Sequence, residues 1–195
     1  MTRIAAFDFD GTITREDSFL AFLRFVGGSA RLYAVLCYYA PLLILMRLHL
    51  YSNHKAKEKV FARYFKHMAL ADFDNLCQSF YEQRGTHLIR PQILQVIQHH
   101  RQKGDKIIII TASLENWVQH FADHIGADVL IATQPEVVNG RLTGRFSTAN
   151  CYGKEKVTRL LQLFPNRKQY YLIAYGDSRG DKELLQLADE AHLLK

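Results

Sequence analysis

The feature that most narrows the folds open to this chain is the stretch Ile4-Ala5-Ala6-Phe7-Asp8-Phe9-Asp10-Gly11-Thr12, an apolar run that ends in two carboxylates and a glycine. A short apolar run stopped by a Gly turn signal reads as a buried strand of a parallel sheet covered on both faces. Ligands bind off the carboxyl ends of such strands. At the strand end the backbone can turn, so that Asp8 and Asp10 present one carboxylate and one backbone carbonyl to a common centre. Oxygen donors of this kind suit a hard cation such as Mg²⁺. The alternative is a pair of solvated loop acids. At residue frequencies of a few per cent the four fixed positions of DxDGT arise by chance in about one chain in several hundred, so the decision rests on the other strand ends.

Those ends carry matching chemistry. Lys106-Ile107-Ile108-Ile109-Ile110 runs into Thr111-Ala112-Ser113, a second buried strand closing on hydroxyl and small residues. Val129 to Ala132 makes a third, and Tyr170 to Tyr175 a fourth that continues into Gly176-Asp177-Ser178-Arg179-Gly180-Asp181. Helical patterns lie between them: Pro91 to about Gln102, Leu114 to Ile125 with Gly126 as its stop, and Lys154 to Phe164 ended by Pro165. A last helix from Lys182 to Leu187 and an edge strand at Ala191 to Leu194 close the chain. Val137 to Leu142 reads as a hairpin, because Asn139-Gly140 suits a two-residue turn with positive φ. This alternation predicts an α/β fold with a Rossmann-like parallel sheet.

Residues 15–90 leave that pattern and show no strand signal, which predicts an α-helical cap inserted after the first strand, with residues 1–14 and 91–195 forming the core. A helix is expected from Asp17 or Ser18 through Val26, stopped by Gly27-Gly28. Residues 53–68 and 71–85 follow as amphipathic helices whose charges read as solvated faces. The histidines have no metal-ligand spacing and read as core or surface residues. Residues 32–46 carry no charge and are bounded by Arg31 and Arg47. That run is shorter than the roughly 18 residues of a membrane span, and Pro41 should divide it. A buried cap helix is the expectation. The alternative is a lipid-facing lid, since Tyr33, Tyr38, Tyr39 and flanking arginines suit an interface.

Composition bounds the partners. The net charge of +6 is scattered, which implies weak attraction to phosphorylated or lipidic anions and no nucleic-acid footprint. Cys37, Cys77 and Cys151 have neither CxxC spacing nor even number, so neither a disulfide framework nor a zinc site is indicated. With no secretory h-region before Asp8, the reading is a cytoplasmic protein, residues 32–46 being the part that could lie at the inner face of a membrane.

Three strand ends thus bring together Asp8 with Asp10, Thr111 with Ala112, and Asp177 with Asp181, and either Lys154 or Lys156 sits in the first turn of a neighbouring helix. The inventory fits phosphoryl transfer. A carboxylate can attack phosphorus, provided that a metal and a cation neutralise the phosphate oxygens. Asp177 would complete the Mg²⁺ set, while the lysine and the Thr111 hydroxyl clamp the phosphate.

DFDGT at Asp8 to Thr12, Thr111 after an isoleucine strand, the helix lysine, and Gly176-Asp177-Ser178 with Asp181 match four motifs in order and rough spacing. In these the chain resembles the haloacid dehalogenase-like hydrolase superfamily over most of its length. The insertion after the first motif, Thr143-Gly144, and Asn150-Cys151-Tyr152-Gly153 resemble subfamily IB, the phosphoserine phosphatase-like group. The resemblance implies that Asp8 is nucleophile and metal ligand, and that Asp10 gives its carbonyl to Mg²⁺ and its carboxyl as general acid. It further implies that Thr111 and the Ala112 N–H hold phosphate, that Asp177 ligates the metal, and that Gly11, Thr12, Ser178 and Asp181 support the site. It favours Lys156 over Lys154, because the family's lysine directly precedes a valine, here Val157.

Two departures bear on substrate. Phosphoserine phosphatases carry glutamate where this chain has Asp17, a substrate-selecting position, and the run at 32–46 resembles instead the phosphatidylglycerophosphate phosphatases of the same group. The expected activity is Mg²⁺-dependent hydrolysis of a phosphomonoester, on a small metabolite or a lipid, through an aspartyl-phosphate on Asp8. A phosphotransferase or mutase would use the same intermediate. A phospho-acceptor signalling domain is the non-enzymatic alternative, and the helical insertion argues against it, since a lid serves to exclude water and choose substrates.

Overall fold

A computed structural model describes residues 1–48 and 50–194. Five parallel strands form one sheet in the order β3-β2-β1-β6-β7, with β1 (Thr2–Phe7) at its centre, flanked by β2 (Lys106–Leu114) and β6 (Tyr170–Gly176), then β3 (Val129–Thr133) and β7 (Glu190–Leu193). The strands read as unbroken apolar runs because both faces are covered. Alternation assigns the faces. Ala5, Phe7, Ile107, Ile109 and Ile173 join one core with α6 (Pro91–Gln102) and α7 (Glu115–Ile125), while Ile4, Ala6, Ile108, Ile110 and Leu172 join a second with α8 (Lys154–Leu163) and α9 (Lys182–Leu187). The expected helix stop at Gly126 is there, with the residue left-handed at φ 72°. His100 is a core histidine, its ring nitrogens 2.7 Å from Asp105 Oδ2 and 2.9 Å from the Tyr175 hydroxyl.

Between β1 and α6 the chain is helical: α1 (Ser18–Tyr38), α2 (Ala40–Arg47), α3 (Asn53–Phe65), α4 (Leu70–Phe80) and the single turn α5 (Thr86–Leu88). Phe22 anchors this part against Phe65, Phe73, Phe80 and Trp117, with ring centroids 5.1–5.8 Å apart. Offset and edge contacts at that spacing are the favourable ones for aromatic rings. The predicted stop at Gly27-Gly28 appears as a kink. Gly28 takes φ 71°, ψ 166°, and the chain then resumes its helix to Tyr38. That conformation is open to glycine and strained for a residue with a Cβ.

Pro41 lies at the start of α2 and divides the apolar run as expected. The expectation that residues 32–46 are buried is wrong. Only Leu32 and Val35 of the run are buried, α2 has no buried residue, and Tyr33, Tyr38, Ile44 and Leu45 are exposed. The aromatic cluster around Phe22 already fills the interior, so the helix beyond the kink has only one side left to pack. By length and apolarity α1 could cross a membrane, but its first half is docked into this core through Phe19, Phe22 and Leu23.

The hairpin of β4 (Pro135–Val138) and β5 (Arg141–Phe146) turns at Asn139 and Gly140, with φ of 50° and 73°, as its sequence predicted. It lies against the insertion. The His67 N–H donates to the Leu142 carbonyl at 2.8 Å, the Leu142 N–H to Met68 at 2.9 Å, and the Leu70 N–H to Gly140 at 2.9 Å. Gly144 runs so close to α3 that a Cβ there would stand 2.6 Å from Ala62 Cβ. We propose residues 1–14 and 91–195 as core and 15–90 as cap, with the 135–146 hairpin assigned to the cap side on account of these bonds.

Candidate active site

Asp8 is the first residue past β1. Its N–H extends the ladder by one bond, donating to the Tyr175 carbonyl at 2.9 Å, which fixes the residue at the end of the sheet. The chain then turns at Asp10 and Gly11, whose φ of 79° requires glycine. A Cβ on Gly11 would also lie 2.1 Å from Asp177 Oδ2, so the Asp177 side chain would have to move. The tight turn therefore brings the end of β1 against the end of β6. The Asp8, Asp177 and Asp181 carboxylates offer oxygens that lie within 4.8 Å of one another, a group capable of holding a metal ion.

Lys156, in the first turn of α8 and 2% exposed, bonds to Asp8 Oδ1 and donates to Asp181 Oδ1 at 2.6 Å. Lys154 is exposed, so Lys156 is the lysine at the carboxylates. Asp181 is fully buried, and its other oxygen accepts from the Ser178 hydroxyl at 2.8 Å and the Ser178 N–H at 3.1 Å. Burial pushes Asp8 up to about 7, opposed by Lys156 and reinforced by Asp181 and Asp10. Burial works against the Lys156 ammonium, but Asp8 and Asp181 overcome it and hold the lysine above its usual range. Asp177 is raised by burial and by Asp181. One ammonium thus faces several acids, a balance that favours a further cation.

The Asp10 carboxyl points elsewhere. One oxygen accepts from the Ser18 N–H at 2.7 Å, and the other from the Ser113 hydroxyl at 2.5 Å, so it bridges the start of α1 and β2. Thr111 is buried, and its hydroxyl accepts the Ser113 N–H at 2.9 Å. Thr12 is buried, and its hydroxyl has no partner among the described residues. Asp17 caps α1, its Oδ1 accepting the Leu20 N–H at 2.9 Å. Burial and the nearby Asp10 raise Asp17, while Lys57 opposes them.

Lys57 and Ser113 were not singled out in the sequence. Lys57, on α3, crosses to the core and donates to the Ala112 carbonyl at 2.8 Å. Burial lowers it, opposed by Asp17, Asp10 and Asp8. The reading of the α3 charges as a solvated face is wrong for this residue. The available signal was spacing: Lys57 shares a helix face with Val60, Phe61 and Tyr64, all buried. These groups surround a cavity of about 660 Å³. Asp8, Asp10, Asp17, Thr111, Ala112, Lys156 and Asp177 line it, together with apolar Leu36, Leu43 and Met46.

The family model described as HAD, haloacid dehalogenase-like hydrolase, matches residues 5–186. Protein CicA of Caulobacter vibrioides is 38% identical over 191 residues, covering 96% of this chain and 83% of the relative. A protein with unknown function from Bordetella pertussis Tohama I superposes with a TM-score of 0.83 at 23% identity, over 98% of this chain and 89% of that one. A phosphoserine phosphatase solved as a phospho-aspartyl intermediate analogue superposes with a TM-score of 0.65 at 15% identity, over 97% and 85% of the two chains.

Gly11→Ala should lower stability by about 1–2 kcal/mol through its positive φ alone, with a further loss from contact with Asp177. Urea denaturation reads this directly, and an unchanged midpoint would mean that the turn tolerates a side chain.

Proposed function

Because the chain belongs to the haloacid dehalogenase-like hydrolase family, with a phosphoserine phosphatase-like fold, we propose that it hydrolyses a phosphomonoester through an aspartyl-phosphate on Asp8, with Mg²⁺ as cofactor. The observation that carries this reading is the buried Asp8–Lys156–Asp181 assembly beside Asp177. The donor set fits the metal: carboxylate oxygens gathered within 4.8 Å, in a pocket that stays open because residue 11 has no side chain. Asp8, Asp177 and the Asp10 carbonyl would hold Mg²⁺, which when bound supplies positive charge to the phosphate oxygens.

The Asp8 oxygen not held by Lys156 attacks phosphorus. As the bond to the ester oxygen breaks, the Asp10 carboxyl protonates the leaving group, and the same carboxylate then takes a proton from the water that cleaves the acyl-phosphate. The Ser18 N–H and the Ser113 hydroxyl fix the Asp10 carboxyl in one orientation. Lys156 balances the charge that builds between nucleophile and phosphate, and Asp181 keeps the ammonium in position. Thr111 and the Ala112 N–H hold the phosphoryl oxygens. Asp17 and Lys57, of opposite charge at the cap side of the cavity, select the rest of a small phosphorylated substrate.

Asp8→Asn should reduce turnover of a generic aryl phosphate by about 10³-fold or more while leaving the circular dichroism spectrum intact. Substantial residual turnover would remove Asp8 from its role. Lys156→Ala should destabilise the protein by about 3–5 kcal/mol, since it strands two buried carboxylates, and should abolish turnover. Lys154→Ala should do neither, and the reverse ranking would transfer the role. Asp8 holds a proton below about 7. A divalent cation competes with that proton, so the rise in Tm on adding Mg²⁺ should be larger at about pH 8 than at about pH 5. An equal rise at both would separate the metal from Asp8.

A further inference from the structure

The catalytic reading leaves unused the outer side of α2 and of α1 beyond its kink. Among the described residues twelve large apolar side chains are exposed, and six of them, Tyr33, Tyr38, Ile44, Leu45, Leu48 and Leu50, fall within residues 33–50. Scattered single exposures need no explanation, but a concentration on one element marks an interaction surface. The charge of the same stretch has one sign. From Gly28 to Lys57 the sequence contains no aspartate or glutamate, while Arg31, Arg47 and Lys55 are exposed.

We propose that this face docks the cap on an anionic lipid bilayer. Apolar side chains on the exposed side of a helix enter the boundary between headgroups and acyl chains, and flanking guanidinium and ammonium groups pair with lipid phosphates. Tyr33 and Tyr38 are ring-and-hydroxyl side chains of the kind that settles at that depth. A second copy of the chain fits less well. A two-fold contact apposes the same patch from two copies, which would bring together the positive charge of both stretches with no acid in either to offset it. The same helices turn Leu36, Leu43 and Met46 into the catalytic cavity, so docking sets that cavity beside the bilayer.

The test is co-sedimentation with phosphatidylcholine vesicles containing about 30% phosphatidylglycerol, against pure phosphatidylcholine vesicles, at ~50 mM and ~500 mM salt. The protein should sediment with the anionic vesicles at low salt, leave them at high salt, and stay in the supernatant with phosphatidylcholine alone. The double substitution Ile44→Asp with Leu48→Asp should weaken vesicle binding by about tenfold or more while leaving turnover of a water-soluble aryl phosphate unchanged, since neither residue lines the cavity. A wild-type protein that stays in the supernatant with anionic vesicles, or a variant that sediments equally well, would overturn the proposal. So would a dimer in sedimentation velocity that the double substitution dissociates. The docking claim does not rest on the phosphatase reading: turnover of the soluble ester reports on that reading separately.

Discussion

The structure is organised by a charge problem at the end of the central strand. Asp8 and Asp181 are buried side by side with one ammonium, that of Lys156, between them. Buried carboxylates without a partner are expensive, and removing one member of such an assembly typically costs about 3–5 kcal/mol. Much of the surrounding architecture follows from meeting that demand. Ser178 and its N–H satisfy the far oxygen of Asp181, and Gly11 lets the β1 turn close onto Asp177. The positive φ of Gly153 starts α8, which carries Lys156 inward. Acids still outnumber the ammonium, and burial, reinforced by Asp181 and Asp10, raises Asp8 to about 7 against the pull of Lys156. The carboxylates gathered there are compatible with a divalent cation.

The cap is joined to this centre by polar contacts rather than by the aromatic cluster alone. Asp10 binds the first N–H of α1, and Lys57 reaches from α3 to the backbone of the β2 end. These bonds tie the inserted helices to Asp10 and Ala112 at the strand ends. The apolar wall of the cavity and the apolar outer face of the cap are two sides of the same pair of helices, which is why the run at 32–46 shows so little burial.

The sheet, its flanking helices and the Asn139-Gly140 hairpin were legible because each rests on a local pattern: runs of isoleucine, glycine stops, a two-residue turn. The residue types of the site were legible for the same reason, since each lies at the end of a recognisable strand or in the first turn of a helix. Lys57 was not, because its role depends on which side of α3 faces the core. The exposure of residues 32–46 was not, because it depends on Phe22 and its aromatic partners having already filled the interior.

By itself, then, the sequence determined an α/β sheet, the acids and hydroxyls at its strand ends and a lysine in the first turn of a helix, since these follow from short-range periodicity and turn chemistry, while the resemblance of its four motifs pointed to the haloacid dehalogenase-like family. Only the tertiary structure decided that Lys156 rather than Lys154 meets Asp8, that Lys57 belongs to the cavity, and that α2 leaves Ile44 and Leu45 exposed. Each of those depends on the rotation of a helix about its own axis and on what already occupies the space beside it, which spacing along a chain does not encode.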